Sequence, residues 1–213
     1  MLELVTASVR ASLVTWILLG ILYPLAVTGL GQWLLPSKAG GSLLKAPDGT
    51  ILGSRLIGQQ WNGPQWFHGR PSATMGIDPN DATKTVPLPY NAASSAGSNL
   101  GPTSQALMAR FEADRERLER LQPELAGKIL PADMLTASGS GLDPDISPAN
   151  AALQVRRVAR ARGVAAAKVD ALLQRHVAGR GIGIFGEPHV NVLELNLALE
   201  QAWPTLPRDS GHR

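Results

Sequence analysis

The chain has 213 residues, 20 Lys and Arg against 17 Asp and Glu, and no cysteine. The lack of thiols excludes disulfide staples and thiolate metal centres, and a net charge of +3 is too small an excess to point to nucleic acid. A mean hydropathy of zero averages one greasy segment with a polar remainder.

Between residues 11 and 37 the only ionisable side chain is Tyr23, and Arg10 and Lys38 bound the segment. This uncharged run of about 27 residues exceeds the roughly 20 that a helix needs to cross the hydrocarbon core. It is also longer than a signal-peptide core of about 7–15 residues, so an uncleaved anchor is expected. Pro24 interrupts it, which a membrane helix tolerates when neighbouring groups satisfy the freed carbonyl. Trp33 suits the headgroup level. Gly20, Gly29 and Gly31 permit close approach of other helices. The expected division is a flank at 1–10, a transmembrane helix at 11–35, one polar domain at 36–205 and a polar tail at 206–213. Arg10 and Glu3 on one side, and Lys38, Lys45, Arg55 and Asp48 on the other, leave the orientation open, because long domains translocate largely regardless of charge.

The stretch 40–99 is rich in Gly, Pro, Ser and Asn, and so in loops. Residues 42–45 and 50–57 read as a hairpin around Pro47-Asp48-Gly49. Trp61, Trp66, Phe67 and Tyr90 read as aromatic staples under those loops. A helix is expected over 102–121, opened by Pro102, with Leu107, Phe111, Leu118 and Leu121 on one stripe. Glu112 with Arg115, and Glu116 with Arg120, stand at pairing distance on its solvated face. An extended piece is expected at 129–135. Ser147 and Pro148 start a helix that runs to Arg162 and closes at Gly163. Another covers 165–177. The last begins at Asn191, with Glu194 three residues on as in a capping box, and reaches Trp203. Strands and helices without a repeated βαβ unit give an α+β class.

Most candidate chemistry weakens on inspection. Gly181-Ile182-Gly183-Ile184-Phe185-Gly186 fits G-x-G-x-x-G but does not open a helix, as dinucleotide binding requires, and reads as a Gly-rich turn. Ser138-Gly139-Ser140-Gly141 has the form of an anion nest, yet Asp143 and Asp145 follow it and no Walker lysine exists. His68, His176, His189 and His212 have no i, i+4 partner, which argues against zinc. Arg156, Arg157, Arg160 and Arg162 read as a basic helix surface.

Four blocks together resemble the C subunit of the bacterial Kdp potassium-transporting ATPase. They are Phe67-His68-Gly69-Arg70-Pro71-Ser72-Ala73, Gly97-Ser98-Asn99-Leu100-Gly101-Pro102, the run from Thr136 through Ser138-Gly139-Ser140-Gly141-Leu142-Asp143-Pro144 to Pro148, and Gly186-Glu187-Pro188-His189-Val190-Asn191-Val192-Leu193-Glu194-Leu195-Asn196. The resemblance implies an accessory subunit of a potassium importer in the inner membrane. In that family a channel-like A subunit carries the ion, and a P-type B subunit hydrolyses ATP through a phosphorylated aspartate. The C subunit stabilises the assembly and raises the ATP affinity of B as a catalytic chaperone. The family's N-terminus is cytoplasmic and its large domain extracytoplasmic. The implied partners are the A and B subunits and membrane lipid, not nucleic acid. No catalytic residue, metal or directly bound cofactor is implied; ATP acts through B, although the family is described as ATP-binding.

The loop residues expected to serve assembly or structure are Gly69, Arg70, Pro71, Ser98, Asn99, Ser138, Gly139, Ser140, Gly141, Asp143, Pro144 and Asn191. Substitution of Gly139 or Gly141 is expected to loosen the complex. Ala96 stands where the family often has Gly, which would strain the chain if that position needs positive φ. The competing class is a membrane-anchored extracytoplasmic binding protein or hydrolase, built on scattered groups such as His68, Arg70 and Asp143.

Overall fold

The chain opens as one apolar helix, Leu2–Leu34. It comprises α1 (Leu2–Ile17), a π-helical turn (Leu18–Leu22) and α2 (Tyr23–Leu34) in a computed structural model that describes residues 1–205. The wide turn has a local cause. Pro24 brings no N–H and its ring crowds the carbonyl one turn back, so the ladder widens there rather than breaking. At 1.5 Å per residue the helix is about 50 Å long, more than the hydrocarbon core of about 30 Å. It begins well before the uncharged run, and carries Glu3 and Arg10 in its first turns. A single turn, α3 (Pro36–Ala39), leads into the antiparallel pair β1 (Leu43–Lys45) and β2 (Ile51–Ser54). This is the expected hairpin, and Thr50 N–H donates to the Asp48 carboxylate in its turn. Met1–Ser54 form one compact unit and the described residues from Arg55 onward a second.

The second unit is α+β. A hairpin of β3 (Met75–Asp78) and β4 (Asp81–Pro87) stands apart from a three-stranded antiparallel sheet ordered β5 (Asp145–Ile146), β7 (His189–Asn191), β6 (Val177–Ala178). Helices α4 (Gln105–Leu121), α5 (Pro148–Arg162), α6 (Ala166–Arg175) and α7 (Val192–Ala202) complete it. The core lies where α5, α6 and α7 meet the small sheet. Val155, Val158, Val169, Leu173, Val190, Leu195 and Leu199 are buried there with Phe67 from a loop.

Caps explain the helix ends. Ser147 Oγ accepts from Asn150 N–H at 3.1 Å and starts α5; Gly163, at φ +64°, closes it. Asn191 Oδ1 accepts from Glu194 N–H at 3.1 Å and starts α7. Other expectations are corrected. Pro102 lies in a turn before α4, whose N-cap is Ser104, so the helix starts later than a proline-led turn predicts. Residues 129–135 form no strand; a 3-10 turn, Ala132–Met134, replaces it. Glu112 does not pair with Arg115, which bonds Glu119 at 3.0 Å instead, whereas Arg120 does pair with Glu116 at 3.5 Å.

Candidate functional site

Three irregular segments, 58–74, 88–101 and 133–145, are knotted together by backbone and short side chains. Gly58 N–H donates to Leu142 O at 2.8 Å, Ala96 N–H to Ser140 O at 3.0 Å and Ser138 N–H to Pro71 O at 3.3 Å. Ser72 Oγ donates to Gly141 O at 2.8 Å and accepts from Tyr90 N–H at 3.0 Å. Tyr90 donates its hydroxyl to Arg70 O at 2.7 Å, and burial pushes its pKa up to about 12. Thr74 Oγ1 donates to Leu88 O at 2.6 Å. In place of strands, loops satisfy one another's polar backbone groups.

The knot depends on close approach. A Cβ at Gly141, which sits at φ +69°, would fall 2.6 Å from Ala96 O and against the Thr74 methyl. One at Gly58 would lie 2.5 Å from Asp143 O, and one at Gly69 would meet the Tyr90 hydroxyl. Gly139 is different: no heavy atom lies within 4 Å of its Cβ position. Ala96 adopts no positive φ, so it is not strained where the family often has Gly.

A second set of contacts anchors segment 58–74 to the helices. Gln154 brackets His68, accepting from its N–H at 2.8 Å and donating to its carbonyl at 3.0 Å. Asn196 does the same for Phe67, at 2.9 Å in both directions. Arg157 donates to Pro64 O at 2.8 Å and Trp66 O at 3.0 Å, and Arg162 to Gln65 O at 2.9 Å. These amides and guanidinia act as a substitute strand edge for a chain that has none. Arg157 is 4% exposed, and burial pulls its guanidinium pKa down to about 10, so it stays charged at neutral pH. The Arg162 side chain is 1% exposed, paired with Glu200 at 2.9 Å and stacked 4.5 Å from the Trp66 ring centroid. The expectation of a wholly basic surface on α5 is therefore corrected: two of the four arginines are buried structural cations. Asp133, unremarked in sequence, accepts from Ser147 N–H, Ser147 Oγ and Asn150 Nδ2 at 2.7–3.0 Å.

The expected loop residues fall in distinct places. Gly69, Arg70, Pro71, Ser138, Ser140, Gly141, Asp143 and Pro144 lie in or on the knot, with Arg70 paired to Asp143 at 2.9 Å and to Thr136 Oγ1 at 3.2 Å. Ser98 lines an adjoining cleft and Asn99 is an exposed residue at φ +51°. Asn191 caps α7 and bridges Arg55 O and Asp145 through its amide at 2.9 and 3.1 Å. Asp143 and Asp145 do not act as a carboxylate pair: one holds Arg70 and the other Asn191. Burial raises the Asp145 pKa. The Gly181–Gly186 stretch is a tight turn closed by a Gly181–Phe185 bridge, well before α7, as its sequence context predicts. The Trp61 and Trp66 rings pack at a 46° tilt with centroids 4.8 Å apart, and Phe67 is fully buried, as expected of staples.

Beside the knot opens a cleft of about 950 Å³ between the segment around Trp61 and Arg70, the α4 face and α5. His68 lines it, with its Nε2 2.8 Å from Gly63 O. Burial and the nearby Arg157 charge lower the His68 pKa to about 4, so the ring is neutral and donates that proton.

The chain matches the family described as KdpC, K+-transporting ATPase, c chain, over residues 5–201. It is 55% identical over 185 residues to the potassium-transporting ATPase KdpC subunit of Methylobacterium nodulans, covering 87% of this chain and 90% of that one. It is 50% identical over 202 residues to the subunit of the same name from Bradyrhizobium diazoefficiens, covering 95% and 98%. With nearly its whole length matched, and with the four sequence blocks folded against one another, this chain belongs to the KdpC family of potassium-transporting ATPase subunits.

Proposed function

We propose that this protein is the non-catalytic accessory subunit of a Kdp-type potassium pump, anchored by α1 and α2 in the inner membrane with its second unit outside the cytoplasm. It stabilises the joined channel-like A and P-type ATPase B subunits and raises the ATP affinity of B. The observation that carries this reading is the knot. Residues of the family blocks are spent on holding loops in one shape, and a shaped loop surface serves recognition rather than turnover. The polar groups around it favour the same reading: Asp143 holds the Arg70 guanidinium, Tyr90 donates to the Arg70 carbonyl and buried Gln154 brackets His68.

A domain outside the membrane does not touch cytosolic ATP, so its effect on nucleotide affinity passes through conformational states that both sites bias. The test is to reconstitute the complex with and without this chain and measure the KM for ATP in potassium-stimulated hydrolysis. Adding the chain lowers that KM by about fivefold or more, the scale of an ordinary coupling between sites. An unchanged KM in an intact, active complex overturns the chaperone role while leaving the assembly role standing.

A further inference from the structure

Among the described residues, the buried side-chain polar atoms without a hydrogen-bond partner are Trp61 Nε1, Arg70 Nε, Arg110 Nε and Arg162 Nη2. All four are N–H donors, and the first three belong to residues that line the cleft beside the knot. Buried donors left without acceptors are costly and rare. Three of them lie behind the wall of one cleft, where their N–H dipoles add to its positive character.

The charges of the lining ask for an acceptor-rich group from outside. Arg70, Arg110, Arg117, Arg120 and Arg157 line the cleft, against Asp114 as the one carboxylate in that lining. Asp114 is shared by Arg117 at 3.2 Å and Arg110 at 3.9 Å. Arg70 and Arg120 have Asp143 and Glu116. Arg157 bonds only carbonyl and amide oxygens among the described residues. Five guanidinia against three carboxylates leave two positive charges, which repel potassium and attract an anion.

The walls are apolar as well as basic. No α4 residue is buried, and Leu118 and Leu121 of that helix line the cleft. Met75, Leu100 and Leu121 of the lining are 38%, 38% and 36% exposed. A small anion would satisfy the arginines and leave this apolar surface wet. A polypeptide carrying both an acid and apolar side chains covers both.

We propose that this cleft and the adjoining α4 face form a docking groove for a carboxylate-bearing polypeptide segment of another subunit of the pump. The proposal rests on the reading of this chain as an assembly subunit. The acid meets the Arg110 and Arg117 side of the cleft, and apolar neighbours on the same segment lie against Leu100 and α4.

The test uses the complete purified complex with p-benzoylphenylalanine in place of Leu100, irradiated and mapped by mass spectrometry. Crosslinks are expected on one segment of another subunit that contains Asp or Glu. Changing that acid to its amide, or Arg117→Gln, lowers the crosslink yield about tenfold; Arg117 is exposed and its pairing with Asp114 weak, so the variant folds. Arg117→Glu combined with the acid changed to Arg restores the yield. Crosslinks to lipid, within the chain itself or to a segment without a carboxylate overturn the proposal, as does no crosslink at all. Competition by ATP overturns it too, since the groove would then be a nucleotide site. If the chain does not co-purify with the pump, the subunit reading falls along with the groove. If it co-purifies but Leu100 finds no acidic segment, the groove alone falls.

Discussion

Gly139 and Gly141 are two positions apart in one loop and face opposite demands. Gly141 is buried at φ +69° against Ala96 O and Thr74, so Gly141→Ala combines left-handed strain with a clash against backbone. The expected cost is about 2–4 kcal/mol, read as a lowered midpoint of thermal unfolding of the detergent-solubilised chain. Gly139→Ala adds a methyl to open space and stays within about 0.5 kcal/mol. A loss of assembly in the first variant would thus report a damaged domain, whereas a loss in the second would report a damaged contact. His68 makes stability depend on pH. Its folded pKa of about 4 lies below the usual 6.5, so the unfolded chain binds the proton more readily. Stability is intact above pH 6.5 and falls as pH drops toward 4, by about 1.4 kcal/mol per unit while the ring is protonated only when unfolded. Melting the wild type and His68→Asn between pH 7 and pH 4.5 checks this: the wild type loses more stability than the variant over that range.

Helix α5 shows at the level of an element what a local pattern can and cannot reveal. Its ends were legible, because Ser147, Pro148 and Gly163 are capping chemistry read from neighbours in sequence. Its apolar stripe of Ala151, Val155, Val158 and Ala159 follows helical spacing. Its second buried stripe, Asn150, Gln154 and Arg157, was not legible as such. Those side chains are polar by type, and they are buried because Pro64, Trp66 and His68 come to them from about 90 residues away. The signal available was two amides and a guanidinium at i, i+4 and i+7. The α+β class and the α7 start were equally readable, whereas β3–β4 was missed. Met75 and Ile77 on β3 remain exposed, so no buried face imprints an alternation on the sequence. The proposed groove was also invisible, since it forms only where α4 meets distant loops. Replacing Asn196 by Leu strips two partners from the Phe67 backbone. Each orphaned group costs about 1–3 kcal/mol, and Asn196→Leu is expected to lose about 2–4 kcal/mol and to speed hydrogen exchange at the Phe67 amide.

For the whole molecule, the first question is sidedness, and the absence of cysteine makes it simple to ask. Ser94→Cys puts a lone thiol on the exposed part of the second unit, and Ser8→Cys puts one near the start of α1. A membrane-impermeant maleimide applied to intact spheroplasts is expected to label the first and spare the second until the membrane is opened. The reverse pattern would refute an extracytoplasmic domain. The bracket that Asn196 forms around Phe67 spans 129 residues of chain, and this has a consequence for the order of events at synthesis. Segment 58–74 emerges early but has no mate until α7, the last helix among the described residues, follows it. Contacts of such separation form late and slowly. The loops therefore reach their working shape only once α7 has crossed, which makes α7 a latch that must close before any partner can engage them.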